Sequence, residues 1–130
     1  MADNSVVVAW FSRSQATAYT DRIYSRLESE ELVVPSVWPY EFANALAVLE
    51  RRGLLTATLA DEVVDKAARL VSRVDAPPAP PAALFQLART HGLSAYDSAY
   101  LELALRLRTT LATKDERLSA VAERLGLLAD

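Results

Sequence analysis

Asp3, Glu41, Asp97 and Asp115 each stand where an apolar run gives way to residues that start a helix. In a parallel α/β fold, all four positions fall on one edge of the sheet. Carboxylates gathered there repel one another: two unit charges about 4 Å apart cost roughly 4 kcal/mol at an effective dielectric of about 20. A hard divalent cation resolves the repulsion, and oxygen ligands without histidine or cysteine suit Mg²⁺ or Mn²⁺. The simplest chemistry for such an ion is hydrolysis of a phosphate ester. It lowers the pKa of a bound water, aligns that water on phosphorus and offsets charge on the phosphoryl oxygens. On this reading Asp3, Asp97 and Asp115 contact the metal directly or through water. Glu41 either ligates a second ion or orients and deprotonates the attacking water. One ion or two is left open.

The elements that must position these acids follow from periodicity and punctuation. Only Met1 and Ala2 precede Asp3, so the first strand is very short, and Asn4 or Ser5 is placed to cap a helix through Val6–Phe11. Ala16–Ser29 reads as an amphipathic helix, with Tyr19, Ile23 and Leu27 on one face. Leu32–Val34 is a strand closed by Pro35, and Ser36 is expected to cap a helix that carries Pro39 near its start and ends at Gly53. Thr56–Leu70 is a further helix and Val71–Asp75 a strand. Residues 76–81 hold four of the six prolines and read as a stiff surface loop or an interdomain linker, the loop preferred because 49 residues beyond it make a marginal domain. Pro81 opens a helix to His91-Gly92, Ser94 another to Leu107, and Leu111–Thr113 is a strand. A helix over Asp115–Leu125 and a short strand at Leu127–Ala129 complete the chain. Short strands alternating with helices predict one α/β domain over residues 1–130. Its mostly parallel sheet has four or five short strands, with helices on both faces.

Helix and strand lengths bring two of the acids to one level. The ten residues from Asp97 to Leu107 descend about 15 Å along a helix; five residues of strand from Thr110 to Asp115 climb back about 16 Å. A right-handed crossover then sets both carboxylates at the carboxyl end of the sheet, the edge where open α/β sheets bind ligands. Each acid also has an ordinary reading. Ser94–Asp97 and Thr113–Glu116 both fit capping patterns, Glu41 fits a solvated helix charge, and Asp3 fits a frayed terminus.

Bulk composition narrows the classes. The chain has 130 residues, 52% of them apolar and 24% charged, which suits one ordered domain with a real core. Its longest apolar run, Val6–Phe11, is far short of the roughly 18 residues of a membrane span, and no signal-peptide pattern is read at the start. A cytoplasmic protein is expected. The absence of cysteine excludes disulfides, thiolate metal sites and cysteine nucleophiles. The formal charge of −3 is unlike that of most nucleic-acid binders. Set the four acids aside, and the remaining acidic residues nearly match the 14 lysines and arginines. RNA is therefore neither favoured nor forbidden by charge.

Four segments carry a family likeness: Asp3–Phe11 (DNSVVVAWF), Val34–Leu46 (VPSVWPYEFANAL), Gly92–Ala104 (GLSAYDSAYLELA, the most specific) and Leu111–Leu118 (LATKDERL). In order and separation they resemble the signature segments of PIN-domain ribonucleases, most closely VapC-type toxins of toxin–antitoxin pairs. The resemblance places Asp3, Glu41, Asp97 and Asp115 on the family's acidic metal-binding positions, and Ser5 and Thr113 on hydroxyl positions that support the site. It implies Mg²⁺- or Mn²⁺-dependent endonucleolytic hydrolysis of single-stranded or looped RNA. It also implies inhibition by a cognate antitoxin and a homodimer, with higher toxin–antitoxin assemblies open. Relatives carry several apolar residues before the first acid where this chain has two, so Asp3 is expected to be held less firmly than the others. Lys114 and Arg117, beside Asp115, are the best candidates for phosphate contacts. Trp38, Tyr40 and Tyr96 flank site acids; core packing is preferred for them over stacking on bases. The antiparallel pair formed by the helices around residues 37–52 and 56–70 either covers the sheet or leaves a groove for a partner. Two rival readings stand beside this one: a catalytically silent PIN-like binding module, and a signalling receiver domain. The receiver fits poorly, because Asn4 and Ser5 follow Asp3 where it needs a second acid.

Overall fold

A computed structural model describes the whole chain, Met1–Asp130. Helix α1 (Asn4–Ala9) opens directly after Asp3, and it is Asp3, rather than Asn4 or Ser5, that caps it. An acid in this place both accepts a free amide and complements the helix dipole. The helix expected over Ala16–Ser29 starts later, where Thr17 and Thr20 form a reciprocal capping box. It gives α2 (Ala18–Ser25) and one 3-10 turn at Arg26–Glu28. β1 (Leu32–Pro35) leads into α3 (Trp38–Arg51), which starts from Val37 with no side-chain cap, so Ser36 does not take that role. Pro39 sits in the first turn, where a missing amide is harmless.

α4 (Ala57–Leu70), capped by Thr56, runs into β2 (Val71–Asp75). The proline-rich stretch links β2 to α5 (Pro81–His91), and Gly92, at φ +67°, ends that helix. α6 (Ala95–Leu107) follows from a Ser94 cap. α7 (Glu116–Arg124) is capped by Asp115, so the capping box read at Thr113–Glu116 does not form.

The sheet is smaller than the expected four or five strands. Only β1 and β2 form a ladder, parallel, with Val33 opposite Arg73 and Pro35 opposite Asp75. The other three extended segments meet through isolated parallel bridges, Ala2 with Ala112 and Leu111 with Leu128. Their amides are paired (Ala112 N–H to Met1 O, 2.9 Å; Asp3 N–H to Ala112 O, 2.9 Å; Leu111 N–H to Leu127 O, 2.7 Å), but each segment turns away before a ladder can extend. Helix caps at Asp3 and Asp115 end two of these segments within one or three residues of the bridge.

One apolar cluster unites Val6–Val8, Leu32, Val34, Trp38, Phe42, Leu46, Val63, Tyr100, Leu101, Leu118 and Val121. Trp38 and Phe42 stack within it at 5.0 Å. β2 and α5 add no fully buried residue to that cluster, and Val71 and Leu87 pack against its edge. No helix is long and apolar enough to cross a membrane.

Candidate functional site

Asp3 is the best-anchored of the four acids. Its backbone bridges Ala112, its Oδ1 accepts from Ser5 Oγ (2.5 Å) and from Val6 N–H (3.2 Å), and its Oδ2 accepts from Thr113 Oγ1. It is 6% exposed. The expectation of a weakly held Asp3 is therefore wrong: two apolar residues suffice, because Met1 and Asp3 both bond to Ala112 while the carboxylate is tied to three donors. Burial pushes the Asp3 carboxyl above its usual range, against the opposing pull of the Ser5, Thr113 and Val6 donors.

Ser5 and Thr113 each serve two partners and cap no helix. Ser5 Oγ accepts from Lys114 N–H (2.9 Å) as it donates to Asp3. Thr113 Oγ1 accepts from Asp115 N–H (3.0 Å), and Thr113 N–H donates to Tyr19 Oη (3.3 Å). These hydroxyls stitch the segment at 111–115 to the start of α1.

Glu41 lies in the first turn of α3, partly buried, and its Oε2 accepts from Tyr100 Oη at 2.7 Å. Burial raises its pKa; the Tyr100 bond opposes this, while the charges of Asp3 and Asp97 add to it. Tyr100 feels the same three acids and is 1% exposed, so its phenol is held as a neutral donor. Asp97, in the first turn of α6, receives Ser94 Oγ on Oδ2 (2.8 Å) and gives its own amide to the same hydroxyl (3.0 Å). The Ser94–Asp97 capping pattern is thus present, and it coexists with the electrostatic coupling to Glu41.

Asp115 stands apart. It is exposed, its Oδ1 accepts from Leu118 N–H (2.8 Å), and its link to the other acids runs through the Thr113 hydroxyl to Asp3. The length argument set Asp97 and Asp115 side by side, whereas the hydrogen bonds of Asp97 stay within its own helix start and those of Asp115 within α7 and the Thr113 turn. No three acidic or histidine side chains stand close enough to form a ready-made cation site. The donor set nevertheless fits a hard divalent ion by chemistry and sign. All of it is oxygen, Glu41 feels the charges of both Asp3 and Asp97, and all four ion pairs of the chain lie elsewhere. The Asn4 Oδ1 atom, next in sequence to Asp3, is buried with no partner, while Asn4 Nδ2 donates to Glu41 O (3.4 Å).

Of the proposed phosphate contacts, Lys114 gives its ammonium to Gln15 O (2.7 Å), while Arg117 is exposed and unpaired. The preference for core packing holds for Trp38 at 6% exposure but not for Tyr40 at 78% or Tyr96 at 62%. Sequence reasoning missed Tyr100. Its signal was the spacing: Asp97 and Tyr100, three apart, share a helix face.

Acids at the starts of α1, α3 and α6, with Glu41 feeling the charges of the other two, define an α/β protein with an acidic site beside its short parallel segments. The chain belongs to the PIN domain family, whose profile matches residues 1–124. PIN domains are generally metal-dependent nucleases, and membership sets aside the receiver reading. The crystal structure of PAE2754 from Pyrobaculum aerophilum is similar in fold, with a TM-score of 0.73 and 22% identity over 92% of this chain and 81% of that one. Comparison with curated proteins finds no match.

Proposed function

We propose that the chain is an endoribonuclease that hydrolyses RNA phosphodiesters with Mg²⁺ or Mn²⁺ and acts as the toxin of a toxin–antitoxin pair. The observation that carries this reading is uncompensated charge around Glu41: Asp3 and Asp97 both add to the rise in its pKa, and none of the three has a basic partner. Asp3, Asp97 and Asp115 would hold the ion, with Glu41 beside them. When bound, such an ion supplies Lewis acidity toward a phosphate ester and its attacking water. Ser5 and Thr113 fix the Asp3 carboxylate in position. Tyr100 holds Glu41 Oε2, which leaves Oε1 to take a proton from water, and burial with like charges nearby makes Glu41 a stronger base than a free glutamate.

A groove of about 570 Å³ between α1, α3 and α4, lined by Val8, Phe11, Leu46, Leu49 and Leu59, supports the antitoxin reading. Leu54 on its rim is 69% exposed. An amphipathic segment of a partner would bury that surface.

The test is cleavage of single-stranded RNA by the purified chain. Activity should require Mg²⁺ or Mn²⁺, stop with EDTA, and vanish in Asp97→Asn while circular dichroism stays unchanged. Unchanged cleavage by that variant overturns the assignment. The lack of three acids at ligand spacing favours one second reading, a PIN-like module that binds without cutting. A stable antitoxin complex with no metal-dependent cleavage would establish it.

A further inference from the structure

We propose that the cavity between the start of α3, the start of α6 and the proline loop is a nucleobase pocket for the nucleotide next to the scissile phosphate. The proposal rests on the nuclease reading and deepens it by adding a base-binding subsite to the acidic edge. The cavity measures about 420 Å³, within the roughly 300–1,000 Å³ usual for small-ligand pockets. Its walls are largely apolar, and Tyr40 and Tyr96 both line it.

These two tyrosines are 78% and 62% exposed, although both belong to well-packed helices. Each immediately precedes a site acid, Tyr40 before Glu41 and Tyr96 before Asp97. Consecutive Cα atoms are about 3.8 Å apart, and neighbours on a helix point to different sides, so the cavity lies beside the acids without including them. Aromatic faces accept any base by stacking, and single-stranded RNA presents its bases unstacked.

The polar wall of the cavity is fixed. Arg106 donates from Nη2 to Asp75 Oδ2 (2.6 Å) and from Nε to Glu102 Oε1 (2.7 Å), and Arg73 donates to Asp75 Oδ1 (3.2 Å). Arg106 is thereby excluded as a free phosphate clamp, and its ion pairs hold the guanidinium in place with Nη1 left over. Arg106 Nη1 makes no bond in the chain and can donate to a ring acceptor of a planar heterocycle, a use an apolar side chain does not offer. An aromatic pair next in sequence to two site acids, with a polar back wall, fits a base better than a lipid or peptide.

The experiment measures binding and cleavage of labelled single-stranded RNA by the full chain, Tyr40→Ala, Tyr96→Ala and Tyr40→Phe. RNAs carrying one abasic nucleotide at successive positions are run in parallel. Loss of stacking should raise Kd and KM roughly 5- to 150-fold in the alanine variants, with Tyr40→Phe restoring affinity. One abasic position beside the cut should reproduce the loss and add nothing further to Tyr40→Ala. Because both rings are exposed, the alanine variants should melt as the parent does. Tyrosine-dependent RNA binding without cleavage would retain the pocket and sink the nuclease reading. Cleavage insensitive to both tyrosines would do the reverse. Sedimentation showing that Tyr40→Ala or Tyr96→Ala dissociates a dimer, with RNA affinity unchanged, would assign the surface to a second copy and overturn the pocket.

Discussion

Replacing Tyr100 with phenylalanine removes one oxygen from a fully packed ring and so isolates its bond to Glu41. No cavity opens beyond that atom. A hydrogen bond to a charged group contributes about 1.5–3 kcal/mol, against about 0.5–1.5 kcal/mol for a neutral pair. Glu41 is only partly buried, so water restores some of the loss, and about 1.5 kcal/mol is expected at neutral pH. The pH dependence carries the sharper test. The folded pKa of Glu41 is raised above its ordinary 4.5, so this group favours folding most when protonated, and that contribution fades as pH rises through the window just above 4.5. Tyr100 opposes the fade by stabilising the carboxylate. Its removal should therefore cost more at neutral pH than at about pH 4, where only a neutral bond is lost.

Urea denaturation in EDTA, followed by the fluorescence of Trp10 and Trp38, reads both values. With a slope of about 1–3 kcal/mol per molar urea, the neutral-pH midpoint should fall by roughly 0.5–1.5 M. Repeating the substitution in a Glu41→Gln background closes a double-mutant cycle. An equal penalty at both pH values and in both backgrounds would refute the reasoning, since the phenol would then be acting on something other than the Glu41 carboxylate.

Helices were legible in the sequence where a cap and a periodic apolar face coincide, as at Thr56–Leu70 and Ser94–Leu107. Strands were legible as apolar runs, but not their pairing. Ala2, Leu111 and Leu128 each contribute a single bridge, and a one-residue bridge has no period to read. Asp3, Glu41 and Asp115 were visible because each follows an extended segment into a helix; Asp97 instead follows α5 through Gly92–Ser94, with no strand before it. Side-chain direction is not fixed by such a junction, so Asp115 gives its Oδ1 to capping α7 and keeps only Oδ2 for any other partner. Asp3 was underrated for a different reason. Its anchors, Thr113 and Ala112, lie more than a hundred residues away, and no local pattern announces them. Tyr40 and Tyr96 look like core aromatics in a linear reading, because exposure depends on what the proline loop and α5 leave uncovered.

Thr113→Val removes both the donor to Asp3 Oδ2 and the acceptor of the Asp115 amide, and should cost about 1–3 kcal/mol at neutral pH. Asp3 already has a raised pKa, so the loss should shrink in acid; thermal melts across pH check this, and Thr113→Ser should restore stability. Ser94→Ala deletes the α6 cap and should lower stability by about 1 kcal/mol in the same melts. The last prediction concerns the acids themselves. If their repulsion awaits a cation, Glu41→Gln relieves it without one, so in EDTA this variant should melt at or above the parent temperature. Saturating Mg²⁺ or Mn²⁺, at a hundred times its Kd, should stabilise the parent by about 2.7 kcal/mol and the variant by less. The two melting curves would then exchange order as metal is added. A purely structural Glu41 would instead leave the variant less stable in both conditions, because Tyr100 would lose a charged acceptor and nothing would be gained in return.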